Sequence, residues 1–376
     1  MTNLPVDAPA PDEIEVSVFG KGFGEAIAVH VGGHRWIAID SLSIGQISVT
    51  HHYLSGLGFD PKDHLDVVIA THWHDDHIRG LAQLFESAAA AEMIVPLAML
   101  KTEFIKFAAA FSGQSSTKFS SGVEEFGKIL QIAAARHKPN TAYPLRMAYN
   151  GYVGYRKTSG SLPHGQQVSL EALSPSNFDV AAFLHRIGQV NPEAKLLQRA
   201  PLYGPNDVSS AYWLQIGNDA VLFGADVENS SGVNSGWNAI LNAPVQPIGK
   251  ASLLKIPHHG GVSGHNDKMW SQFLTEGSIG TLTPWTKGGN RLPSGADIAR
   301  LITATAESYS TGPSANGKTA TQPFSVAKAL SKDKVSLQRV ANKIGQVRHR
   351  GKVSDGKIAW TTTLFGEACN LAAMAK

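Results

Sequence analysis

A single cysteine, Cys369, stands among 376 residues. That excludes an intrachain disulfide framework and any zinc site built from several cysteines. Charge is also sparse: 17% of residues are Asp, Glu, Lys or Arg, and 33 basic against 30 acidic side chains leave a formal +3. So slight a balance permits a polyanionic partner without demanding one. No uninterrupted apolar stretch reaches the roughly 18 residues that span a bilayer. The opening, Met1 to Pro11, has neither a basic n-region nor an apolar h-region, so no secretory signal is expected. The expectation is a soluble cytoplasmic protein without membrane association. No fixed period repeats and no linker divides the chain, so one domain over 1–376 is expected. Apolar residues, at 43%, suffice for a large core and exclude global disorder.

Histidine, in contrast, is plentiful. There are 15, and five of them, His72, His74, His77, His258 and His259, fall in two tight clusters. Each cluster follows an apolar run. Residues 14–39 read as strands, with a glycine-rich turn at 20–24 and a hairpin at Gly32-Gly33 that leads to a strand ending at Asp40. The β-branched run 65–70 reads as a buried strand and delivers the first cluster. Helical spacing follows over 78–91, and two further helices, 97–111 and 123–136, form a helical insertion at about 97–138. Residues 139–160 are turn-rich. Strands return at 167–173, 210–216, 220–223 and 251–256, the last delivering the second cluster. Residues 298–309 read as helix. A basic C-terminal extension occupies about 311–376.

His72-Trp73-His74-Asp75-Asp76-His77 has the pattern H-x-H-x-D-H. Alternation along a strand end sends His72 and His74 to one side. The turn into a helix then brings Asp76 and His77. Four metal-binding groups converge within six residues, and imidazole with carboxylate suits zinc, manganese or iron. Asp226 ends another apolar strand, where a carboxylate could bridge two metals. In Pro257-His258-His259-Gly260-Gly261 a strand again ends in histidine, and glycines there let the backbone approach a ligand closely.

This ordered set, Asp40, H-x-H-x-D-H, Asp226 and H-H-G, resembles the metallo-β-lactamase fold superfamily. Within it, the chain is most similar to the hydrolase domain of competence proteins of the ComEC type, over about 14–310. Supporting matches are Asn206-Asp207-Val208-Ser209-Ser210, Thr283-Pro284-Trp285 and Leu292-Pro293-Ser294. The membrane channel of those transport proteins has no counterpart here. The resemblance implies a four-layer αββα sandwich of α/β class, with the site at one edge. It implies that His72 and His74 bind one metal, that Asp76, His77 and His258 bind the other, and that Asp226 bridges them. His259 is the alternative to His258. Asp40 would orient a ligand through a hydrogen bond. One departure concerns the further histidine that many members carry after the strand preceding the Asp226 strand. Residues 168–176 have none, so the first metal keeps His72, His74 and Asp226 and is expected to fill more weakly.

Two divalent metals, zinc first and manganese second, would generate a nucleophile by lowering the pKa of bound water toward about 7. Asp76 and His259 are the candidate catalytic residues. Lys255, Lys287 and Arg291 are candidates for binding substrate. The basic run from Lys332 to Lys352 favours a phosphate-rich substrate. The leading expectation is a phosphodiesterase or nuclease acting on DNA or RNA, in DNA processing or defence. A hydrolase of a small ester, lactone or phosphoester, and a metal- or partner-binding subunit without catalysis, stay open beside it. So do a partner protein and self-association.

Overall fold

A computed structural model describes residues 4–111, 121–158, 160, 162, 165–189, 204–286, 291–312 and 343–375. In chain order the strands are β1 (Glu13–Gly20), β2 (Glu25–His30), β3 (Trp36–Ile39), β4 (Ser43–Ile44), β5 (Ile47–Ser48), β6 (Leu65–Ile69), β7 (Glu92–Pro96), β8 (Leu145–Ala148), β9 (Tyr152–Thr158), β10 (Gln167–Ala172), β11 (Tyr212–Ile216), β12 (Asp219–Phe223), β13 (Ala251–Lys255), β14 (Leu274–Leu282), β15 (Glu307–Ser310), β16 (Gly345–Ser354), β17 (Lys357–Ile358), β18 (Thr361–Gly366) and β19 (Cys369–Asn370). One mixed sheet runs β17-β16-β1-β2-β3-β6-β7-β8, with β18 also paired to β16. The other runs β19-β15-β14-β13-β12-β11-β10-β9, and β4 and β5 form a small ribbon.

Both sheets are covered on both faces, which is why their central strands read as nearly continuous apolar runs. On β2, Ile27 and Val29 enter the layer between the sheets, while Ala26 and Ala28 lie under helices. The inter-sheet layer joins Val16, Val18, Ile39 and Ile69 to Leu214, Val221, Phe223 and Leu253. Outside the first sheet, helices Val49–Gly56, Leu81–Ser87, Thr102–Phe111, Ser121–Arg136 and Asn177–Gly188 bury Tyr53, Phe85, Phe104, Phe126 and Phe183. Outside the second, helices Gly236–Leu241, Asp267–Phe273 and Gly295–Ala304 bury Trp237, Phe273 and Leu301. The architecture is the four-layer αββα sandwich that the resemblance implies. Among the described residues no helix is long and apolar enough to cross a membrane.

The helices of the 97–138 insertion pack into the outer layer of the first sheet. Three regions differ from the sequence reading. The tyrosine-bearing stretch 139–160 supplies edge strands β8 and β9, one to each sheet. The helix expected to reach Tyr309 stops at Ala304, and Glu307–Ser310 continues as β15. In the described part of the C-terminal stretch, β16 lies antiparallel to β1 inside the first sheet, with Glu13 opposite Lys352 and Glu15 opposite Arg350. Its cations are matched internally. Arg350 pairs with buried Glu15 at 2.6 Å, Arg348 with Asp7 at 2.8 Å, and Lys352 with Asp12 at 2.8 Å. Lys332, Lys334 and Arg339 lie outside the described residues.

Candidate metal centre

Strands from both sheets end at one edge, and each delivers a polar group there. β3 leads to Asp40, β6 to Thr71 and His72, β12 to Asp226, and β13 to His258 and His259. The short helix Asp75–Ile78 carries Asp76 and His77. Asp40, His72, Asp76, His77, Asp226 and His259 are all buried, while the His74 side chain is 23% exposed at the mouth.

Two donor groups result. Asp76, His77, Asp226 and His259 offer atoms within 4.8 Å of one another, and so do His72, His74 and Asp226. Asp226 belongs to both. Its Oδ2 lies 3.5 Å from Nε2 of His77, 3.5 Å from Nε2 of His259 and 3.9 Å from Nε2 of His72. Asp76 Oδ2 lies 3.1 Å from His259 Nε2 and 3.4 Å from His77 Nε2. His74 Nδ1 is 3.1 Å from the other Asp76 oxygen.

The outer nitrogens of three rings are held. His77 Nδ1 donates to Asp40 Oδ2 at 2.7 Å, His259 Nδ1 to the Thr283 carbonyl at 2.9 Å, and His72 Nδ1 to Thr71 Oγ1 at 3.0 Å. Thr71 Oγ1 in turn donates to Asp40 Oδ2 at 2.7 Å, and the Thr71 amide to Asp40 Oδ1 at 2.8 Å. With Nδ1 occupied as donor, each ring, once neutral, turns the lone pair of Nε2 inward. Asp40 thus orients His77 directly and His72 through Thr71.

A cation fits these donors. Nε2 of His72, His77 and His259, both oxygens of Asp76 and Oδ1 of Asp226 are buried without a hydrogen-bond partner. Buried polar atoms are rarely left so, and here they face one another. Burial opposes ionisation of Asp76 and Asp226, yet the neighbouring imidazoles hold both carboxyls well below the usual range. Burial would likewise keep His259 neutral, but Asp226 and Asp76 push it up to about 10. His77 is raised for the same reason. Burial, with His77 beside it, drives His72 well below its usual value. The two carboxylates therefore favour positive charge beside them, which a bound cation would supply in place of the protons on His77 and His259.

Backbone strain collects at the same edge. Seven non-glycine residues among those described have left-handed φ, and four of them, Asp40, Ala225, His258 and His259, lie at this edge.

Two sequence assignments change. His258, the favoured ligand, points away from the cluster. Its Nδ1 lies 2.7 Å from Ser263 Oγ and from Glu228 Oε1, and its Nε2 faces the Asn206 amide at 3.3 Å. The successive left-handed residues His258 and His259 part their side chains, and His259 is the one that enters. Lys255 is no substrate contact either. Its ammonium is 1% exposed and paired with equally buried Glu25 at 2.7 Å. Arg291 is exposed, and Lys287 lies outside the described residues. Sequence reasoning passed over Thr71, Thr283, Glu25 and Glu228, since threonines and glutamates at strand ends carry no spacing of their own. Trp285 lies parallel to His74, ring centroids 5.4 Å apart, and tilted toward His259 at 5.5 Å.

No family model matches this sequence, and no curated protein does. Similar solved structures include the metallo-β-lactamase fold protein YhfI from Bacillus subtilis, 15% identical, with 65% of this chain and 70% of that one covered at a TM-score of 0.30. Another is an archaeal metallo-β-lactamase superfamily protein from Sulfolobus tokodaii, 12% identical, with 58% and 66% covered at 0.27.

Proposed function

We propose that the protein is a metal-dependent hydrolase whose substrate is a phosphodiester, with nucleic acid the leading candidate. The observation that carries the metallohydrolase reading is the pair of buried donor groups sharing Asp226. His72, His74 and Asp226 would hold one divalent ion, and Asp76, His77, His259 and Asp226 the other. Such ions, when bound, lower the pKa of water and stabilise charge on an attacked ester. The chain's own residues do the rest. Asp40 and the Thr283 carbonyl fix the rings, Trp285 walls the mouth, and the apolar layers behind exclude bulk water. The phosphodiester preference rests on the likeness of the motifs to the ComEC-type hydrolase domain.

One observation favours a smaller ester or phosphoester instead. Arg348, Arg350 and Lys352 are consumed in ion pairs and are not free to neutralise a phosphate backbone. A cleft of about 100 Å³ near the site is moreover lined by Asp179, Asp207 and Glu228.

The test is hydrolysis of plasmid, a labelled single strand, bis(p-nitrophenyl) phosphate and a small lactone, with zinc or manganese, by wild type and Asp76→Ala. Metal-dependent cleavage of DNA, lost in the variant, supports the leading reading. Turnover of small substrates alone moves it to the second. Metal bound with no turnover of any substrate leaves a binding subunit.

A further inference from the structure

The buried pair Lys255–Glu25 crosses between the sheets, β13 to β2, beside the centre. Burying two charges costs several kcal/mol per ion before their attraction returns any of it. A merely structural contact there would be served by two apolar side chains of similar volume. Glu25 has a second set of contacts. Its Oε2 accepts a hydrogen bond from Thr283 Oγ1, and the Thr283 carbonyl accepts from His259 Nδ1 at 2.9 Å. On its other side, Glu25 offers an oxygen within 4.8 Å of donor atoms of Asp40 and His77. One carboxylate therefore stands behind both imidazoles of the Asp76 group. Two carboxylates so close repel each other, and the Lys255 charge at 2.7 Å offsets that repulsion.

We infer that Lys255 and Glu25 are positioning residues for the Asp76 donor group: the ion pair sets Thr283, and with it the aim of His259, while holding Asp40 behind His77. This rests on the metal-centre reading above. It replaces a role at the substrate for Lys255 with one behind the ligands, and it assigns Glu25 a function that neither motif contains.

The test is cobalt(II) titration of the metal-free full chain, followed by visible ligand-field absorption and calorimetry, with thermal melting alongside. Lys255→Met alone would leave Glu25 buried and unpaired and could fail to fold. The decisive variants are therefore the neutral double substitution Glu25→Gln with Lys255→Met, and Thr283→Val, which removes the hydroxyl but keeps the carbonyl. The expected result is wild-type uptake of two ions. Both variants should melt close to wild type, bind the ion of the His72–His74 group normally and bind the ion of the Asp76 group about 10–100-fold more weakly, with an altered absorption band. A double variant that binds both ions with wild-type affinity and unchanged bands overturns the inference and leaves the metal centre standing. If wild type takes up no cobalt, the metal-centre reading falls and the inference falls with it.

Discussion

His349 offers a quantitative test of how the sandwich holds ionisable groups. It sits on β16, fully buried, between Thr281 Oγ1 at 2.6 Å from Nε2 and Thr362 Oγ1 at 3.0 Å from Nδ1. Burial pushes its pKa down to about 3. In the unfolded chain an imidazole titrates near 6.5. A depressed folded value means that the unfolded state takes up the proton first. The stabilising contribution is thus complete above pH 6.5 and is lost progressively as pH falls toward 3. Between pH 7 and pH 5, unfolding should gain about 2 kcal/mol from this ring alone. That is a large share of a typical total of about 5–15 kcal/mol. His349→Gln keeps groups able to bond both threonines and has no proton to gain. Urea unfolding at the two pH values, for wild type and variant, isolates the ring because other titrations cancel. The loss on acidification should be smaller in the variant by about 2 kcal/mol. An equal loss in both proteins would mean that the folded structure tolerates a charged ring there, and the reasoning would fail.

Further expectations concern the centre. Asp226→Ala should remove both ions, and His74→Ala mainly the one held with His72, as counted by metal analysis of purified protein. His259→Ala should abolish turnover, whereas His258→Ala should leave metal content intact; equal metal loss in the two would reverse the ligand assignment. Asp40→Ala should weaken metal binding about 10–100-fold, because His77 and Thr71 lose their orienting carboxylate. Gly122→Ala would drive a Cβ into the Trp73 carbonyl, between His72 and His74. Lower thermal stability with weaker metal uptake is expected, and a variant indistinguishable from wild type would show that the loop can yield.

The centre was legible where spacing carries chemistry. H-x-H-x-D-H after a buried strand names four donors at once, and Asp226 follows from its place at a strand end. The choice between His258 and His259 was not legible, because adjacent residues on a turn are separated only by left-handed backbone that periodicity does not reveal. Lys255 misled for a different reason. A lysine at the end of an apolar strand beside the second histidine cluster reads as a substrate contact, and its partner lies 230 positions away on β2. The layers came from the resemblance, while the residues themselves supplied the strands at β1, β2 and β6. Strand β16 was hidden because Arg348, Arg350 and Lys352 looked like a solvated run, and only the register against Glu13 and Glu15 explains them.

His72, His74, Asp76 and His77 descend from one sheet, and Asp226 and His259 from the other. A cation at this edge would act as a rivet between two plates that otherwise adhere through an apolar layer and a few buried polar contacts, Lys255–Glu25 and Thr281–His349 among them. Binding only the assembled form, it would add about 4 kcal/mol of cohesion at a free concentration 1,000 times its dissociation constant. Chelation would then do more than silence chemistry. It would remove that added cohesion from the seam, and the loss would fall first on the site itself.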